Sequence, residues 1–252
     1  MRVYLKTRRH LQGPSETLTL EDISEDTTVS SVRSRIETMQ AVHDPNQVLL
    51  ISGEESLADD RTLGSCGVGD EATLYWFITT DPIDEQSAAG RAVLVAEDGM
   101  DAVHPRAFQE LKAFARPPQG VATTALAAKV LLSMEEVEAG ADADGMTFGS
   151  SETIALVCWR DQRLQQRRER MVDDEPIPRE RLARLQAMVM SDEAYTPQAV
   201  AKQSLAAAAV CAYIRAVVRF YTCQSTQAGS RSHDVVTLRS WKQRWQESGK
   251  VD

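Results

Sequence analysis

The chain has 252 residues, of which 42% are hydrophobic and 26% charged, and its net charge is −9. That is length for two small domains, each with its own core, and an ordinary globular composition. The acid excess argues against non-specific nucleic-acid binding. The charged opening "MRVYLKTRRHLQG" lacks a leader's apolar core, and no window nears eighteen uninterrupted apolar residues, so neither a cleaved leader nor a membrane partner is expected.

Charge is unevenly spread. Residues 1–80 hold 7 basic and 13 acidic side chains and residues 81–252 hold 21 and 24, yet Arg160 to Arg170 packs five arginines against two acids. Cys66, Cys158, Cys211 and Cys223 show no metal spacing and read as buried free thiols of a reducing cytoplasm.

In chain order, "RVYLK" and "TLTL" alternate like half-buried strands around a Gly13-Pro14 loop. "TTVSSVRSRIETMQ" spaces Val29, Val32 and Ile36 as an amphipathic helix capped by Thr27 or Thr28. "QVLLISG" and "ATLYWFI" are further strands, so a sheet packs on one helix.

Those segments, with "DPNQVLLISG", "DDRTL" and "DEATLYWFI", follow the order of ubiquitin, and residues 1–78 resemble it nearly end to end. The resemblance implies a β-grasp domain over residues 1–80. The chain reads "ITTDP" in place of a terminal diglycine, and Lys6 is the only lysine in the segment, so conjugation and chain building are not expected. Leu50, Tyr75 and Phe77 occupy the family's recognition patch, which either binds a partner or packs against the rest of the chain. Residues 81–100 read as an acidic, small-residue linker, with "AVLVA" as one short candidate strand.

The second half is helical. "VHPRAFQELKAFARPP" is a helix between Pro105 and a double proline, followed at once by one from Val121 to Leu132. "EEVEAGADADGMTFGSS" is a polar loop whose "DADG" lacks acidic residues at the first and twelfth positions of a calcium loop, so no metal is expected. "ETIALVCWRDQRLQQRRERM" turns basic along its length, and "PRERLARLQAMVM" points Leu182, Leu185 and Val189 inward. Thr196 and Pro197 open the longest helix. From Val200 the positions 200, 204, 207, 211, 214, 218 and 221, apolar but for Ser204, keep heptad spacing, a seam that requires a partner. The segment 105–116 is the expected antiparallel partner.

"FARPPQGVATTALAAKVLL", "CWRD" and the stretch from "DDEPIPRERL" to "AVVRFY" resemble, in order, the microtubule-binding domain at the end of the dynein heavy-chain stalk, over about residues 104–222. The implied organisation is α+β: the β-grasp domain, the linker, a helical stalk-tip bundle with a short antiparallel coiled coil over 101–224, and a tail over 225–252. The resemblance implies tubulin as partner, met by the first tip helix, the middle helices and the start of the returning helix. Lys202 falls at a basic contact position. Lys129, Arg160, Arg163, Arg167 and Arg168 lie near the relevant elements, and Ala122 replaces a usual basic residue. In the tail, Trp241 and Trp245 sit at helical spacing, as anchors for a partner or as core.

No nucleotide loop, nucleophile elbow or His/Cys cluster occurs, so a non-enzyme without cofactors is expected. The leading expectation is a non-motor, static binder of the tubulin lattice in the ciliary or flagellar axoneme, its ubiquitin-like domain docking a neighbouring axonemal protein. The rivals are a ubiquitin-pathway adaptor and a dynein-assembly factor.

Overall fold

The structure is a computed structural model that describes residues 1–7, 16–40, 48–52, 55–78, 85–114, 116–134, 159, 162–192, 195–227 and 236–248. The chain divides into two compact units, Met1–Val95 with Lys242–Asp252, and Ala96–Trp241.

In the first unit, β1 (Val3–Thr7), β2 (Glu16–Leu20), β3 (Val48–Ser52), β4 (Glu55–Ser56) and β5 (Ala72–Ile78) form one sheet in the order β2-β1-β5-β3-β4. The first and last strands lie side by side and parallel, Val3 opposite Ala72, and the other pairs are antiparallel. This is the mixed sheet of a β-grasp fold. Helix α1 (Val29–Gln40) starts at Thr28, whose Oγ1 accepts from the Ser31 amide at 3.3 Å, so Thr28 is the cap of the two candidates. Val3, Leu5, Leu20, Leu50, Leu74 and Trp76 from the sheet join Val29, Val32 and Ile36 from α1 in the core.

The other set of strand positions forms a second cluster. Ile51, Tyr75 and Phe77 pack with Ala88 and Val95 of α2 (Glu85–Ala102) and with Trp245. Over residues 85–100, helix α2 overturns the reading of 81–100 as linker with a strand, residues 81–84 lying outside the described ones: acids and small residues suggest flexibility, but alanine is the best helix former and burial of residues 90–96 makes the segment core. A short apolar run such as "AVLVA" does not by itself distinguish strand from helix.

The second unit is helical. The 105–116 helix is shorter than expected: α3 (Pro105–Glu110) tightens into a single 3₁₀ turn, Leu111–Ala113, before the proline pair. Then come α4 (Gln119–Leu131), α5 (Gln162–Arg168) with a π-helical turn at Glu169–Asp174, α6 (Arg179–Val189), α7 (Pro197–Ala201), α8 (Leu205–Gln227) and α9 (Leu238–Ser248). The "DADG" loop and "ETIALVC" lie outside the described residues.

Helix α8 explains the heptad rhythm. Val200, Ala207, Cys211, Ile214, Val218 and Tyr221 are all buried, but so are Ala206, Val210, Tyr213, Ala216, Val217 and Phe220. A helix apolar on all sides is a core helix, and α8 is packed by α3, α4, α6 and α7. Among the described residues it is also the helix long and apolar enough to cross a bilayer, and 72% of that stretch is buried inside the fold. The expected single returning helix is two, broken at Lys202–Ser204.

Candidate functional site

The region that the stalk resemblance assigns to tubulin is built around that break. Thr196 Oγ1 accepts from the Ala199 amide at 3.2 Å and Pro197 fills the first turn of α7. Ser204 Oγ accepts from the Ala207 amide at 3.3 Å, so α8 has a cap of its own. The Val200 carbonyl takes the amides of both Gln203 and Ser204 at 2.9 Å, which closes the joint between the helices. Lys202 and Gln203 are exposed on it.

The joint rests on the start of α4. A Cβ at Gly120 would lie 2.8 Å from Gln203 Oε1 and 3.2 Å from Val200 Cγ2, so glycine permits this approach. Thr124 Oγ1 donates to the Gly120 carbonyl at 2.7 Å and shares a hydrogen bond with the Tyr195 hydroxyl. A cleft of about 330 Å³ opens among Gln119, Gly120, Thr123, Tyr195, Val200 and Gln203. Buried Arg215 of α8 donates through Nη1 to the carbonyls of Val189 and Tyr195, the latter at 2.9 Å. It thereby places a cation at the C-terminal end of α6 and ties down the turn into α7.

Among the predicted tubulin contacts, Lys202 has the exposure such a role needs. Lys129 is only 4% exposed, because α4 is buried on nearly every side, which corrects its reading as a surface cation. Arg167 is corrected likewise: its Nε and Nη2 donate to the carbonyls of Leu132 at 2.6 Å and Ser133 at 2.5 Å. These carbonyls follow α4, where Ser133 adopts a left-handed conformation (φ 51°), its amide reaching Val130 and that of Met134 reaching Lys129. The helix end is thus closed first by backbone and then by Arg167. Removing that fork should cost about 2 kcal/mol, the range for hydrogen bonds to charged groups. Arg167→Ala is therefore expected to lower the urea midpoint, and an unchanged midpoint with weakened microtubule pelleting would restore the contact reading.

Arg168 is also corrected. Its guanidinium carbon lies 5.8 Å from the Trp159 ring centroid and 5.7 Å from that of Tyr213, and those rings meet edge to face at 5.0 Å. Burial works against its charge, but Tyr213, Glu97 and Asp173 outweigh that and hold its pKa above the ordinary arginine value. A basic run on a helix suggested a solvated or recognition face, yet this arginine faces an aromatic core. Arg163 belongs to α5, and Arg160 lies outside the described residues.

In the first unit, the predicted recognition face needs a change of register. Ile51 pairs with Tyr75 and Leu50 with Trp76. Successive strand residues face opposite ways, so Leu50 joins the α1-side core and Ile51 stands with Tyr75 and Phe77. That face is filled from within its own unit. Phe77 meets Trp245 with ring centroids 6.1 Å apart, and the Arg91 guanidinium lies 6.0 Å over the Phe77 ring. Trp241 is buried in the second unit against Phe220, at 6.0 Å. The two tail tryptophans are packing residues, as the amphipathic spacing of α9 equally allowed.

Residues 4–81 match the ubiquitin family, and residues 79–233 match the family described as the microtubule-binding stalk of the dynein motor. No curated protein matches the chain. The second match covers more than half of the sequence and carries with it microtubule association and a cytoskeletal location. The chain belongs to the dynein microtubule-binding stalk family, with a ubiquitin-family domain at its N-terminal side.

Proposed function

We propose that the protein is a non-motor, non-enzymatic microtubule-associated protein that grips the tubulin lattice of the ciliary or flagellar axoneme as a static structural component. The observation that carries this reading is the seam between the matches: the stalk family begins at residue 79, where the ubiquitin family ends at 81. In sequence, a ubiquitin-like domain therefore precedes the stalk family's segment, where a motor would carry its long outgoing stalk helix. Helix α2, the first helix after it, has 18 residues and rises about 27 Å at 1.5 Å per residue. Exposed Lys202, on the joint where the family meets its track, supplies a cation for an acidic surface. A neighbouring axonemal protein docks on a surface of the ubiquitin-like domain other than Ile51, Tyr75 and Phe77, which are already packed.

Co-sedimentation of the full chain with stabilised microtubules at low salt tests the reading. Pelleting is expected, and Lys202→Glu should weaken it about tenfold, because a like charge replaces a complementary one. A chain that stays in the supernatant ends the lattice-binding reading. Retention in detergent-washed axonemes is the expected fractionation result, and recovery only with the soluble cytoplasm would favour an assembly factor.

A further inference from the structure

We propose that Leu205 is the apolar anchor of the lattice contact, set beside the cation of Lys202; this rests on the microtubule-binding reading above. Leu205 is the first residue of α8 and is 68% exposed, against 37% for Leu126 of α4 and 48% for Met39 in the first unit. It departs from its own helix: Ala206, Ala207 and Ala208, which follow it, are all buried. It also stands off the heptad seam, which passes through Ser204 and Ala207. Core packing thus gives no account of a large side chain at this position.

What surrounds it is a rigid platform. The chain is fixed before the joint by the Thr196 cap and after it by the Ser204 cap, while the two amides on the Val200 carbonyl and the close approach to Gly120 hold the turn itself. Lys202 and Leu205 are therefore presented in set positions, and little backbone ordering remains to be lost on association. The occupant that fits is an acidic protein surface with an apolar recess: the acid meets Lys202, and the recess removes Leu205 from water. Tubulin's acidic outer face is the partner of that chemistry to which the family match points.

Charge and apolar burial separate by salt. Microtubule pelleting of the full chain is to be measured across a salt series for wild type, Leu205→Ala, Leu205→Met and Lys202→Ala. Leu205→Ala is expected to lose about fivefold in affinity at every salt concentration, with the salt dependence of wild type, and Leu205→Met to recover most of it. Lys202→Ala should lose affinity mainly at low salt, with a shallower dependence. Because Leu205 is exposed and alanine is the better helix former, Leu205→Ala should melt no lower than wild type. If wild type pellets and Leu205→Ala pellets equally well, or its loss vanishes at high salt, the anchor is overturned while the lattice reading stands. If wild type itself fails to pellet, both fall.

Discussion

Leu50→Ala is expected to lower the stability of the first unit by about 3 kcal/mol, within the range for leucine truncation in a packed core. Leu50 is fully buried in the cluster that includes Leu57, Leu74 and Trp76, and its carbonyl accepts the Leu57 amide at 2.9 Å, so the strand around it has little freedom to close a cavity. Marginal stability in a domain of this size makes such a loss a large fraction of the whole. Amide exchange at β1, β3 and β5 in the full-length variant is the measurement. Exchange should quicken by about two orders of magnitude, the equivalent of that loss. Wild-type protection with loss of a binding partner would return Leu50 to the recognition face. The same substitution would otherwise pass for a binding defect, because it removes the fold that carries every surface of the domain.

That register marks the limit of what the sequence made legible. Alternation within "ATLYWFI" separates Leu74 and Trp76 from Tyr75 and Phe77, and both sets fall as their period requires. Nothing within "QVLLISG" chooses between Leu49-Ile51 and Leu50 for either face, because all are apolar; the pairing with β5 decides it. Helix α2 is illegible for a related reason, since a run of small and apolar residues reads as linker until its neighbours bury it. Basic residues were the least legible. Lys202, Lys129, Arg167 and Arg168 look alike in sequence, but burial against aromatic rings or carbonyls at a helix end leaves Lys202 as the exposed one of the four. Arg215 carries no signal of its role within an apolar helix, although it holds the turn that leads into the candidate site. Caps are readable where their chemistry is local: Thr196 with Pro197 caps a helix as its spacing predicts, but the helix is the short α7 and not the longest one, because Ser204 on the seam interrupts the run and caps α8 itself.

Alkaline unfolding of the second unit should be steep, because three of its tyrosines are held neutral. Burial pushes Tyr195 up, with Cys211 adding to the shift, and pushes Tyr213 up with the help of Asp173. Tyr221 is raised by burial as well; its hydroxyl donates to the Val172 carbonyl at 2.5 Å and accepts the Leu238 amide at 3.3 Å. A tyrosine whose folded pKa lies above its unfolded value, about 10, contributes stability that is complete below that value and is lost as pH rises towards the folded pKa. The unfolded chain sheds protons that the native one retains, at about 1.4 kcal/mol per pH unit for each group, so three together remove about 4 kcal/mol per unit above pH 10. Helical circular dichroism and phenolate absorbance, followed together from neutral pH upward, test this. Phenolate from these three residues should appear in a single step that coincides with loss of helix. Single Tyr→Phe variants assign the signal, and Tyr213→Phe is the mildest, since its hydroxyl has no hydrogen-bond partner among the described residues. If all the tyrosines ionise smoothly near pH 10 while the helices persist, the hydroxyls at Tyr195, Tyr213 and Tyr221 are open to water and the packing of α8 is looser than described.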